Sequence, residues 1–110
     1  MRTLVWYLPS PTRTGAVGPV YKLEMAYTAV EVWVVTRAAC GGEGLIVDVL
    51  VDGSSVFDTR PQVTRLQTEG TGIFLRTLGP LREDSLVSLS VDQLDGTEGD
   101  ITVGLVLEER

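Results

Sequence analysis

GEGLIVDVLVDGSSVF, residues 42–57, carries the clearest strand signal in the chain. Leu45, Val47, Val49 and Val51 fall on one side of an extended backbone, and Ile46, Asp48 and Leu50 fall on the other. That period of two belongs to a β-strand. Asp52-Gly53 follows at once. A type I′ hairpin needs positive φ at both central positions, which Asp-Gly tolerates, so Ser54–Asp58 is expected to return as the partner strand. Asp48 interrupts the aliphatic run. No residue around it completes a catalytic set, so it reads as a marker of which way the strand faces.

The same alternation recurs along the chain. Strands are expected over 3–8, 20–26, 28–38, 45–51, 54–58, 72–76, 85–93 and 100–108. In 20–26, Tyr21, Leu23 and Met25 share a face; in 28–38, Val30, Val32 and Val34 oppose Glu31, Trp33, Val35 and Arg37. Val87, Leu89 and Val91 alternate with Ser88, Ser90 and Asp92, and Ile101, Val103, Leu105 and Leu107 with Thr102, Gly104, Val106 and Glu108. PSPTRTGAVGP (9–19), with its three prolines, reads as a loop, as do TRPQVTRLQTEGTG (59–72), TLGPLRED (77–84) and QLDGTEGD (93–100). No segment holds a 3.6-residue apolar period over three turns. The pattern predicts an all-β fold: an antiparallel β-sandwich, jelly-roll-like, of about eight strands, in a single domain over 1–110.

Composition narrows the function. A net charge of −6 and a pI near 4.5 oppose nucleic-acid binding, which needs a basic patch. The apolar runs are too short to span a bilayer, and no signal-peptide pattern follows Met1, so a soluble protein made without export is expected. The chain has one cysteine, Cys40, and no histidine. An intrachain disulfide, a thiolate metal cluster and a Ser-His-Asp triad are therefore excluded, and Cys40 lacks the base a nucleophile needs. Asp92, Asp95, Glu98 and Asp100 form the densest acidic group, but their spacing does not match an EF-hand loop. No metal, no cofactor and no enzymatic activity are expected. Asn is absent and eight of the nine basic residues are Arg. A thermophilic source and a GC-rich genome both produce that pattern.

Several strands are apolar on both faces. Trp33 and Val35 oppose the Val30, Val32, Val34 face, Ile46 and Leu50 oppose the Leu45 face, and Trp6 and Tyr7 point to opposite sides. Two explanations stand: other parts of the chain cover the second face, or a partner subunit does. The candidate interface residues are Trp6, Trp33, Val35, Ile46, Asp48 and Leu50.

The order of segments also resembles a known module. Trp6 to Pro9, Gly18 to Leu23, Leu45 to Val49, Asp52-Gly53, Val56-Phe57, Leu86 to Gln93 and Gly99 to Val103 resemble the matching parts of a β-sandwich module in tailed-bacteriophage virion structural proteins. That module pairs an early YLP…G.G…Y.L segment with SLIVDV..NG..IF.T.P and then DYLTVDVDQ…G.DLTV. The resemblance spans nearly the whole chain and rests on hydrophobic and turn patterns. It implies a capsid decoration protein, a head fibre or a tail-appendage tip, often trimeric. Without a collagen-like or coiled-coil shaft, a small auxiliary protein on the outer capsid surface is favoured, made in the host cytoplasm and located in the virion. Its partners would be its own copies, as a homotrimer, and phage capsid or tail proteins. The alternative is a tail-appendage or fibre-tip module that binds a host receptor or carbohydrate.

Overall fold

Leu4, Trp6 and Leu8 alternate with Val5 and Tyr7, and in the computed structural model the first set points inward and the second outward. The structure describes residues 1–10 and 12–110; Pro11, one of the prolines of the expected first loop, lies outside the described residues. Among the described residues there is no helix, and the strands are β1 (Arg2–Leu8), β2 (Gly15–Lys22), β3 (Tyr27–Thr36), β4 (Leu45–Val51), β5 (Ser54–Ser55), β6 (Phe57–Thr59), β7 (Gln62–Val63), β8 (Glu69–Gly70), β9 (Ile73–Phe74), β10 (Leu86–Gln93) and β11 (Ile101–Glu109).

Two antiparallel sheets form the sandwich. Sheet A runs β1-β11-β3-β8, and sheet B runs β2-β10-β4-β5 with β7 also paired to β4. Strands β6 and β9 make a separate small pair. First, last, third and a late strand share one sheet, while the second, the penultimate, the fourth and the fifth share the other. That alternation is the jelly-roll winding.

Between the sheets, one apolar cluster collects Leu4, Trp6 and Leu8 of β1, Val32 and Val34 of β3, and Ile101, Val103, Leu105 and Leu107 of β11. Sheet B supplies Leu45, Val47 and Val49 of β4 and Val87, Leu89 and Val91 of β10. Burying such side chains stabilises by about 1.5–3 kcal/mol each relative to leaving them exposed. The turn after β4 forms as its sequence predicts, with φ of 51° at Asp52 and 87° at Gly53, but the return strand is shorter than the expected Ser54–Asp58: it stops at Ser55, and Phe57–Thr59 pairs with β9 instead. Asp52 also accepts from the Leu86 N–H through its carboxylate (2.9 Å), which ties the turn to β10.

Three further local expectations fail, each for a physical reason. Strand β2 begins at Gly15, inside the segment read as loop, because β10 pairs with it from Gly15 to Lys22. The strand then ends before Met25, which is partly exposed. Val30 faces solvent rather than Val32 and Val34, since a bulge shifts the β3–β11 register between Val106 and Leu107. An extra residue in one strand reverses the parity of what precedes it. Two-residue strands β7 and β8 arise in the segment read as irregular, because β7 pairs with the start of β4 and β8 with the end of β3.

The edges of the sandwich are protected in different ways. The outer strand β2 carries Gly18 and Pro19, and β5, β7 and β8 are very short. Strand β1 is long, and Tyr21 donates its hydroxyl to the Val5 carbonyl (2.5 Å) along that edge. The Trp6 indole N–H donates to the Pro19 carbonyl (2.8 Å), and its ring meets Tyr21 edge-on at 5.3 Å. Gly18, at φ 72°, lets the β2 backbone approach this indole: a Cβ there would lie 3.0 Å from Trp6 Cδ1.

Candidate functional site

The outward residues of sheet A fall into rows across three strands. Val5 of β1, Gly104 of β11 and Trp33 of β3 make one row; Tyr7, Thr102 and Val35 make the next; Thr3, Val106 and Glu31 make the third. Strand β8 extends the second row, since Glu69 lies directly opposite Val35. Val5 is 41% exposed, Tyr7 58% and Val35 42%, so this face carries apolar surface that the chain leaves open. Isolated exposed apolar residues are ordinary, but neighbours in register on one sheet face form a patch.

Gly104 shapes the centre of that patch. A Cβ at this position would overlap Cε2, Cζ2 and Nε1 of Trp33. The indole therefore lies across the glycine backbone and buries it, and Trp33 is itself half-buried. The other side of Trp33 lines an open cleft of about 460 Å³, together with Glu31, Val34, Val35, Glu69, Gly70 and Thr71. Thr71 donates its hydroxyl to the Val32 carbonyl (2.8 Å), which holds the cleft wall to the edge of β3. Glu31 and Glu69 are exposed, and among the described residues neither carboxylate has an ion-pair partner.

At the far end of the same face, Asp100 accepts from the Ser10 N–H (2.8 Å) and the Tyr7 hydroxyl (3.0 Å). The Ser10 bond first, then the Tyr7 bond, hold the Asp100 carboxyl below its usual range, and the bond to Asp100 raises the Tyr7 phenol. This rim is internally satisfied.

The outer face of sheet B is built differently. Asp48 sits opposite Ser90, and Ser55 donates to its carboxylate (2.6 Å). Arg60 pairs with Asp92 (2.8 Å), which also accepts from the Ser90 hydroxyl (2.9 Å). Ile46 and Leu50 are half-buried, and Ile46 borders a hollow whose other walls are Asp58, Thr59, Arg60 and Gln62. Burial pushes the Asp48 carboxyl above its usual range, and the Ser55 hydrogen bond opposes that shift.

The six candidate interface residues therefore lie in three places. Trp33 and Val35 lie together on the outer face of sheet A. Ile46, Asp48 and Leu50 lie on the opposite side of the molecule, on sheet B. Trp6 is fully buried in the core and is removed from any surface, because it shares parity with Leu4 and Leu8. Glu31, Glu69 and the packing role of Gly104 were missed. Glu31 was visible as an outward neighbour of Trp33, whereas the pairing of Glu69 with Val35 has no local signal.

The acidic group also separates. Asp92 goes to Arg60 and Asp100 to Ser10 and Tyr7. Asp95 and Glu98 come together with Cys40, their ligand atoms within 4.8 Å of one another. Glu98 is almost wholly buried and accepts from the N–H groups of Asp95 (3.0 Å) and Gly96 (2.9 Å). Asp95 accepts from the Thr97 N–H (2.8 Å) and hydroxyl (2.5 Å). Thr97 in turn accepts from the Gly41 N–H (2.8 Å), and Ala38 N–H bonds the Glu98 carbonyl (2.9 Å). Burial, then Glu98 and Asp95, raise the Cys40 thiol, which favours its protonated, unreactive form. These bonds fasten the 94–100 loop to the exit of β3. No protein-family model matches the chain, and no curated protein does.

Proposed function

We propose that this protein is an auxiliary structural component of a tailed-bacteriophage virion, a capsid decoration protein that assembles as a homotrimer through the outer face of sheet A. The observation that carries the reading is the exposed apolar surface of Val5 and Tyr7 on β1, the long outer strand of a sheet whose inner face already fills the core. A surface of that kind is stabilised when a partner covers it. The resemblance to phage structural modules supplies the virion context. The jelly roll is compatible with the role but does not select it, since the same winding serves capsid proteins and lectins.

Once assembled on a shell, such a protein acts by adding buried contact area between neighbouring capsid subunits. Multi-angle light scattering of the purified chain tests the assembly. The expected mass is three times the 11.9 kDa of one chain. A monomer at high concentration overturns the trimer, and immunogold labelling that marks tail tips rather than capsids overturns the decoration role.

One observation favours a second reading, a tail-appendage module for carbohydrate. Trp33 lies beside two carboxylates in an open cleft, and an aromatic surface flanked by polar groups suits a sugar ring. Sugar-dependent quenching of Trp33 in a monomeric protein would select it.

A further inference from the structure

The cleft between β3 and β8 is an acidic, aromatic-walled recess on a protein that is already acidic. Its wall includes the indole of Trp33; Val35 and Gly70 add apolar surface, and Glu31 and Glu69 stand along it with no cation of the chain against them among the described residues. Two like charges beside one apolar recess repel each other and raise the local negative potential. A bound cation removes that repulsion. Register fixes the spacing of the groups: Glu69 is opposite Val35, and Glu31 and Trp33 are successive outward residues of β3. A guanidinium or ammonium group entering here meets the indole, whose face attracts cations, and a carboxylate on either side. Its aliphatic stem would cover Val35.

We propose that this cleft takes an arginine- or lysine-bearing segment of a partner protein, bound by the indole of Trp33 and the carboxylates of Glu31 and Glu69. The inference rests on the virion-docking reading above and names the chemistry of the partner surface. Local charge selects the occupant: Glu31 and Glu69 draw a basic segment to the β3–β8 end of the face, while Val5 and Tyr7 at the β1 end are left for the contact between copies.

The test uses the whole chain and a synthetic peptide of alternating valine and arginine, titrated while tryptophan emission is followed. Trp6 is fully buried, so the emission change reports on Trp33. The expected result is a saturable change below about 1 mM peptide that weakens as salt is raised. Glu31→Gln and Glu69→Gln should each weaken binding about 2–5-fold, and the double variant about tenfold, with unchanged thermal unfolding. A matched peptide with citrulline in place of arginine should bind at least tenfold more weakly.

No saturable change up to 1 mM, equal binding by the double glutamine variant, or equal binding of the citrulline peptide overturns the proposal. So does a response to an oligosaccharide in place of the peptide. Light scattering on the same samples separates this proposal from the reading beneath it. A trimer that ignores the peptide removes only the basic partner, while a monomer that binds the peptide removes the trimeric assembly and keeps the cleft. If Glu31→Gln and Glu69→Gln together dissolve the trimer, the occupant is a second copy and the partner proposal fails.

Discussion

The two outer faces of the sandwich carry similar strand sequences and end in different states. On sheet B, the apolar residues Ile46 and Leu50 flank Asp48, and the chain supplies its own neighbours: Ser55 for the carboxylate, and the Asp58–Gln62 segment beside Ile46. On sheet A, Trp33 and Val35 are successive outward residues of β3, yet only two residues of β8 reach over the β3 edge, and Val35 stays 42% exposed. A doubly apolar strand is therefore ambiguous taken alone. What resolves it is how much chain crosses that face, which is a property of the loops.

The largest test of this contrast is Gly104→Ala. Its methyl would drive the Trp33 indole off the sheet, and overpacking of this kind costs about 2–3 kcal/mol. Denaturant unfolding should show that loss, and Trp33 emission should shift to the red. Unchanged stability and emission would mean that the indole does not depend on the glycine. Next, Tyr7→Ala should weaken self-association about 30-fold, the mark of a residue at the centre of an interface. Leu50→Ala on sheet B should leave the scattering mass unchanged. If the two exchange roles, the assembly face has been placed on the wrong side.

The smallest effect belongs to Asp48→Asn, within about 0.5 kcal/mol of the parent at neutral pH, because the amide oxygen still accepts from Ser55. Its pH dependence is more telling. The folded carboxyl titrates above its unfolded value, so its contribution is complete below the unfolded pKa and is lost as pH rises through the folded pKa. Melting temperatures from pH 7 down to pH 4 should show the parent gaining on the variant. A parent that loses ground on acidification would show Asp48 held as a paired carboxylate, which is what a buried interface charge requires.

The sequence made the sandwich legible where alternation and turn chemistry agreed. Asp52-Gly53 and the flanking valines of β4 specify strand, face and register from local information alone. The first half of β2 was hidden because Gly15, Gly18 and Pro19 look like loop, and only pairing with β10 makes them a strand. The bulge before Val32 was hidden too, since the valines continue their alternation across it while the backbone does not. For Trp6 the signal lies in its neighbours: Leu4 and Leu8 share its parity, which assigns it to the core and leaves Tyr7 outward. Half of the cleft lay beyond local reading, because Glu69 reaches Val35 only after β8 has docked.

The strand order has a consequence for how the chain is made. Sheet A is centred on β11 and sheet B on β10, the last long strands of the chain. On the ribosome, β1 and β2 emerge before any strand that pairs them exists, and β3 and β4 find only the short strands β8, β5 and β7. The long pairings of all four must wait until residues beyond 86 are synthesised. Folding of such non-local β pairings takes milliseconds to seconds, so the interval between synthesis and closure is when this protein is most open to wrong partners.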